Sequence, residues 1–135
     1  MRNRRGIAGI LLAAVIVLCW GSRVYASVNW AGLTAVLTAD QKSVTRTNTA
    51  GDPFQATAMY AHTQGNSQYP IMFQARGGSS VGNCIYQEAL ITVRPGDAIT
   101  INIYSAYSYH SLTLTGKNGL QTVKGCIGEG WLEKN

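Results

Sequence analysis

The sequence predicts an all-β protein: a single-domain, antiparallel β-sandwich that follows a short export signal. Short segments alternate apolar and polar residues with the two-residue period of a half-buried strand. Turn residues such as Gly, Asn and Pro separate these segments, and no long segment after the first 38 residues carries a helical apolar pattern. The clearest strand is 98–104, where Ile99, Ile101 and Ile103 are expected to point inward.

The first 26 residues have the three parts of a secretory signal peptide. Arg2, Arg4 and Arg5 form a basic start, residues 7–20 are apolar, and Val24 and Ala26 supply the small or β-branched residues of an A-x-A-like cleavage site. The apolar run of about 14 residues is shorter than the roughly 20 that a membrane-spanning helix needs. We therefore expect a cleaved signal peptide at 1–26 and a secreted or periplasmic domain at 27–135, with an uncleaved anchor as the alternative.

Seven segments of the exported part are predicted as strands. They are 28–38, 54–62, 69–75, 84–93, 98–104, 111–115 and 120–124. The first is ambiguous because its apolar residues also fit one face of a helix. Residues 42–53 and 76–83 are expected to be loops, 94–97 a turn, and 116–119 the tip of a hairpin with Asn118-Gly119. About seven strands at this spacing predict an immunoglobulin-like or jelly-roll-like sandwich.

The cysteines predict one disulfide. Cys19 leaves with the signal peptide, so the exported domain keeps Cys84 and Cys126. Two cysteines in an exported chain usually pair. A bridge that closes a loop of this size would stabilise the fold by about 4 kcal/mol on the chain-entropy model.

The charges of the exported part argue against nucleic acid as a partner. The formal charge of +5 includes Arg2, Arg4, Arg5 and Arg23, all within the signal peptide. The remaining basic and acidic residues are nearly balanced and are scattered along the chain. Nucleic-acid binding requires clustered basic residues that neutralise phosphates, and the sequence has no such cluster.

The candidate binding site is the segment from Tyr104 to His110. Tyr104, Tyr107 and Tyr109 alternate with small residues and precede His110. Tyrosine combines a flat apolar ring with a polar tip, and neighbouring serines add adaptable hydrogen bonds. These four residues are predicted to bind a ligand, although tyrosines that simply pack on a sheet face would give the same pattern.

Catalytic and metal sites find little support in the sequence. His110, Ser111 and Asp97 supply the residue types of a catalytic triad, but adjacent strand residues point to opposite faces. A copper site of the blue type needs two histidines, a cysteine thiolate and an axial ligand. No His or Met follows Cys126, so we predict no metal, no cofactor and no catalytic residue.

These observations favour a non-catalytic binding domain that recognises a surface carbohydrate, another cell-surface component or a protein. A small secreted effector is the main alternative, either an enzyme inhibitor or a toxin whose tyrosines contact a membrane interface. A hydrolase is less favoured. A structural subunit of a surface assembly is a further possibility, because open sheet edges can recruit other chains.

The signal-peptide assignment predicts the mass of the exported protein. Cleavage after Ala26 gives a mature chain that begins at Ser27. Intact mass spectrometry of protein recovered from outside the cytoplasm is expected to match residues 27–135. A mass that includes the apolar segment would instead establish the uncleaved anchor.

Overall fold

The computed structural model describes residues 31–134, and these form nine β-strands and no helix. The strands are β1 (Ala31–Leu37), β2 (Ser43–Thr47), β3 (Ala56–Thr63), β4 (Ile71–Gly78), β5 (Tyr86–Val93), β6 (Ala98–Asn102), β7 (Tyr109–Asn118), β8 (Gln121–Thr122) and β9 (Gly128–Lys134). Within this range no helix could span a membrane. The predicted signal peptide and the mature start at Ser27 lie outside the described residues.

The strands form two antiparallel sheets, which confirms the predicted all-β class. The first sheet has the order β1-β9-β3-β6 and the second has the order β2-β7-β4-β5. The short strand β8 pairs with the end of β7, so that Lys117 lies opposite Thr122. Strands β1, β6, β2 and β5 are therefore the outer strands of the two sheets.

A single apolar core contains side chains from both sheets. Its largest fully buried apolar members are Leu37, Met59 and Leu132 from the first sheet and Ile71, Phe73, Leu112 and Leu114 from the second. Along β7, buried residues alternate with half-buried Ser and Thr, as expected for a strand with one face on a core. Full burial of each such side chain stabilises the fold by about 1.5–3 kcal/mol.

A bulge in β3 changes which of its residues face the core. Ala58 pairs with Glu133 and Ala56 pairs with Lys134, so Thr57 is an extra residue on β3. Beyond the bulge the inward residues are Met59 and Ala61, both fully buried. Regular alternation from Phe54 and Ala56 would place Tyr60 on the inward face, but the bulge reverses the alternation and Tyr60 is half-buried.

Two strands were not predicted. Residues 43–47 were expected within a loop, yet β2 pairs with β7 along its whole length. Only Val44 of this strand is buried, so its apolar signal is weak. Strand β9 contains Gly128 and Gly130, which weaken its strand pattern. Its residue Trp131 is half-buried, whereas the neighbouring Leu132 is in the core.

The predicted turn at 94–97 and the predicted hairpin at Asn118-Gly119 are both confirmed, and each contains a glycine with a positive φ. The Asp97 N–H donates to the Arg94 carbonyl at 3.0 Å, and Gly96 has a φ of 90°. This positive φ suits the third position of a type II turn. The hairpin between β7 and β8 also forms, with Gly119 at a φ of 63°.

The structure does not contain the predicted Cys84–Cys126 disulfide, and both thiols are free. A side-chain carbon placed on Gly78 would lie 2.8 Å from the Cys84 Cα, so Cys84 is at the Gly78 end of β4. Cys126 is beside Gly116, which pairs with Ile71 at the other end of β4. Seven residues of strand separate these ends by about 23 Å, whereas a disulfide needs Cα atoms within about 7 Å.

The core assignment predicts unequal effects for two leucine truncations. Leu132→Ala removes a fully buried side chain and is expected to lower the free energy of unfolding by about 2–5 kcal/mol. Leu120→Ala changes a residue that is 97% exposed at the hairpin tip and should alter stability by less than about 0.5 kcal/mol. Urea denaturation of both variants measures the difference, and equal effects would contradict the core described here.

Candidate functional site

Three connections meet at one end of the two sheets. They are residues 48–55 between β2 and β3, 79–85 between β4 and β5, and 103–108 between β6 and β7. The Phe54 N–H donates to the Ser108 carbonyl at 3.0 Å, which joins the first connection to the third. Gly78 pairs with Tyr109, which brings the second connection to the same place. We call this the tyrosine end.

The tyrosine surface consists of Tyr86, Tyr104, Tyr107 and Tyr109. Tyr104 is 94% exposed and Tyr86 is 51% exposed, while Tyr107 and Tyr109 are half-buried. The rings of Tyr86 and Tyr107 stack with centroids 5.0 Å apart and planes 3° from parallel. The structure therefore brings the predicted site residue Tyr107 against Tyr86 of β5, while Tyr104 and Tyr109 lie at the same end of the sheets.

Short-range contacts shape the loop that carries Tyr104 and Tyr107. Ile103 is buried, and its N–H donates to the Thr57 carbonyl at 2.8 Å, which anchors the start of the loop. The Tyr107 N–H then donates to Ser105 Oγ at 3.0 Å, a serine-centred turn. Because Ile103 points into the core, Tyr104 beside it points to solvent.

His110 lies beneath this surface and does not form part of it. Its side chain has 0% exposure, so the predicted ligand contact by His110 is not available in this structure. Nε2 lies 3.0 Å from the Phe54 carbonyl, and Nδ1 lies 2.9 Å from Glu88 Oε1. The Phe54 ring packs against the imidazole with centroids 4.9 Å apart. His110 is therefore a support for the site.

Asn48 joins the supporting contacts into a network. Its Nδ2 donates to the Ser108 carbonyl at 3.2 Å and to the Asp52 carbonyl at 3.1 Å. Its Oδ1 accepts the His110 N–H at 2.6 Å. Asn48 is itself buried, so these bonds satisfy a polar side chain that burial would otherwise penalise.

A second bulge turns Glu88 toward His110. Ala75 pairs with Ala89 and Arg76 pairs with Gln87, which leaves Glu88 as the extra residue of β5. Gly77 provides the space, since a side-chain carbon there would lie 2.8 Å from the Glu88 carboxylate. Bulges commonly redirect a side chain next to a functional site. Nothing in the sequence marked Glu88 for this role.

Cys84 lies near this network but lacks the features of a catalytic nucleophile. Burial, followed by repulsion from the Glu88 carboxylate, raises the pKa of the Cys84 thiol above its ordinary value. A catalytic thiol requires a lowered pKa or an adjacent base. His110 is not such a base here, because both of its ring nitrogens already have partners.

The structure does not assemble the other chemistry considered from the sequence. The Asp97 backbone carbonyl accepts the Thr63 N–H at 3.2 Å, whereas Phe54 contacts His110 at the opposite end of β3. These positions are about 25–30 Å apart along an extended chain, so Asp97 and His110 do not form a triad. Among residues 31–134, no group of three His, Cys, Asp or Glu side chains could hold a metal ion.

A second aromatic group lies on the first sheet. Tyr60 and Trp131 stack with centroids 4.1 Å apart, and the His62 ring is 6.4 Å from Tyr60. Burial lowers the pKa of His62 below its ordinary value. Its register partner on β9 is Glu129. This group was not predicted, because the strand that carries Trp131 was not.

The free thiols predict a specific alkylation pattern. In folded protein without reductant, iodoacetamide at pH 7 is expected to modify Cys84 slowly, because its raised pKa keeps the thiolate fraction low. Cys126 is fully buried and should react only after unfolding. Mass spectrometry of an unfolded, unreduced chain of residues 27–135 is then expected to show two modified cysteines. No modification without reductant would establish a disulfide and contradict the structure.

Comparisons of the chain with protein-family models, with curated proteins and with solved structures give no match. A functional assignment therefore depends on the geometry of the tyrosine end.

Proposed function

We propose that this protein is an exported, non-catalytic binding domain whose tyrosine surface recognises a carbohydrate, another cell-surface component or a protein. The observation that carries the proposal is the stacked Tyr86–Tyr107 pair, with the nearly fully exposed Tyr104 in the same 103–108 connection as Tyr107. Exposed aromatic rings leave apolar surface in water, and grouped apolar surface often marks an interaction site. No cofactor takes part in such binding.

The support beneath the rings favours a preformed site. Ser108 follows Tyr107, and its carbonyl is held by the Phe54 N–H and by Asn48 Nδ2. Ser105 fixes the backbone of Tyr107. A partner would therefore meet rings that are already positioned, and less conformational entropy would be lost on binding.

The composition of the tyrosine end indicates which forces would drive binding. Segments 77–87 and 98–116 contain no Asp, Glu, Lys or Arg, and the 48–55 connection contributes one exposed carboxylate, Asp52. Ring stacking and hydrogen bonds from tyrosine and serine would supply most of the affinity. Binding should therefore depend weakly on salt concentration, unlike binding to nucleic acid.

Contact with a membrane interface is a second candidate function, favoured by two aliphatic residues. Val81 and Ile85 are exposed in the connection that adjoins Tyr86. Tyrosine suits the lipid–water boundary, and neighbouring aliphatic side chains would enter its apolar part. A membrane-active effector would act in this way, and dye leakage from phosphatidylcholine vesicles would distinguish it from a carbohydrate or protein binder.

We also infer that the two sheets form a jelly-roll sandwich. Successive strands change sheet at nearly every connection, and only β4–β5 and β7–β8 remain within one sheet. A four-stranded sheet and a five-stranded sheet, the fifth strand being the short β8 at the end of β7, connected in this manner support a jelly roll over an immunoglobulin-like arrangement.

Binding assays on tyrosine variants test the proposed function. The mature protein is screened on a glycan array, on insoluble cell-wall polysaccharides by co-sedimentation, and on vesicles. For any ligand found, Tyr104→Ala is expected to weaken binding about tenfold or more, because truncation of an interface aromatic commonly removes over 1 kcal/mol. Tyr86→Ala should act similarly through loss of the ring stack.

Leu120→Ala is the matched control, since it truncates an exposed apolar residue outside the three connections of the tyrosine end. It should leave affinity unchanged. A ligand whose affinity is the same for Tyr104→Ala, Tyr86→Ala and the unaltered protein would show that the tyrosine surface is not the binding site.

A further inference from the structure

We propose that Glu88 and His110 share one buried proton and that this proton holds the tyrosine surface in place. The surface would then be ordered while the pair keeps a single shared proton and released when that proton is lost or a second is gained. As a regulation of binding this inference rests on the proposed function, but its effect on the loop can be observed without a ligand.

The hydrogen-bond partners fix the number of protons. The Phe54 carbonyl can only accept, so the His110 Nε2 that lies 3.0 Å from it carries hydrogen. The remaining contact, Nδ1 to Glu88 Oε1 at 2.9 Å, needs one hydrogen between its two atoms. That hydrogen makes either an imidazolium–carboxylate pair or a neutral imidazole with a protonated carboxyl. Both forms have no net charge and one shared proton.

Loss or gain of a proton leaves the pair unbalanced. Without the shared proton, the Nδ1 and Oε1 lone pairs face each other and a carboxylate remains in a site where His110 is fully buried. With a second proton, a buried imidazolium faces a neutral carboxyl. Each state places an uncompensated charge in a mostly buried site, where the His110 side chain is 0% exposed and that of Glu88 is 9% exposed, and this is unfavourable.

The pair is connected to the tyrosine surface through backbone contacts. His110 Nε2 holds the Phe54 carbonyl, and the Phe54 N–H holds the Ser108 carbonyl. The His110 N–H also fixes Asn48, whose Nδ2 holds the same Ser108 carbonyl. Ser108 directly follows Tyr107. Movement of the imidazole would therefore weaken the end of the loop that carries the stacked ring.

The other groups packed against the pair are mostly uncharged. The 48–55 connection contributes the Phe54 ring and carbonyl and the Asn48 amide, and β4 contributes the backbone of Gly77. Cys84 is the titratable neighbour whose thiol responds to the Glu88 charge. A thiol that stays protonated near neutral pH adds no charge, so Glu88 and His110 would determine the response.

The test measures the Tyr86–Tyr107 stack in ligand-free mature protein as a function of pH. Stacking produces ring-current shifts in the NMR signals of both rings. We expect these shifts to persist over a middle pH range and to disappear on its acid and alkaline sides while the core signals remain folded. The alkaline arm stays below the ordinary tyrosine pKa of about 10.

Glu88→Gln separates the shared proton from simple packing. The Gln amide can donate to Nδ1 and needs no ionisable proton, so the variant should keep the stack on the alkaline side where the unaltered protein loses it. Loss of the stack at the same alkaline pH in both proteins would overturn the proposal. Asp52→Asn, which leaves the Asp52 carbonyl that contacts Asn48 in place, is the control and should follow the unaltered protein.

Nitrogen-15 shifts of the His110 ring provide a test that needs no variant. We expect Nε2 to be protonated throughout the range in which the stack persists. An unprotonated Nε2 in that range would overturn the proposal. A pH-independent stack up to pH 9 and down to pH 4 would overturn it as well, whereas failure to find a ligand would bear only on the proposed function.

Discussion

The tyrosine end depends on one constraint: a fully buried histidine must satisfy both of its ring nitrogens. His110 meets this requirement with the Phe54 carbonyl and the Glu88 carboxylate, which belong to different parts of the chain. Removal of one partner from a buried charged pair typically destabilises a protein by about 3–5 kcal/mol. The constraint therefore fixes the 48–55 connection, β5 and β7 relative to one another, and the tyrosine loop is built on them.

Two local departures from regular strands make this arrangement possible. The bulge at Glu88 brings a carboxylate to the inward side, where the regular alternation from Ala89 would have turned it outward. The bulge at Thr57 occurs where the Thr57 carbonyl accepts the Ile103 N–H and anchors the start of the tyrosine loop. Both irregularities are therefore at the tyrosine end, while the strands leading away from it follow the usual alternation.

Much of the fold, but little of the site, could be predicted from the sequence. The Ile-rich strand β6 was predicted from its two-residue alternation, and the turn at 94–97 from its proline and glycine. Both signals depend only on residues that are close in the sequence. Strand β2 and the role of Glu88 depend on partners more than 20 residues away, and a single sequence does not contain that information. The disulfide expectation relied on cysteine number, whereas strand geometry determines the distance between Cys84 and Cys126. Composition alone identified the tyrosines as site candidates. It did not predict the hydrogen bonds of Asn48, Glu88 and His110 that lie beneath them.

The most direct test of this account is amide hydrogen exchange at the tyrosine end of the ligand-free protein. The Phe54 N–H bonds to the Ser108 carbonyl, and the His110 N–H bonds to Asn48 Oδ1. The account predicts that both amides exchange nearly as slowly as that of Leu112 in the centre of β7. Exchange of the Phe54 and His110 amides at the rate of an exposed loop, with Leu112 still protected, would show that the tyrosine surface is not held by this network and would contradict the account.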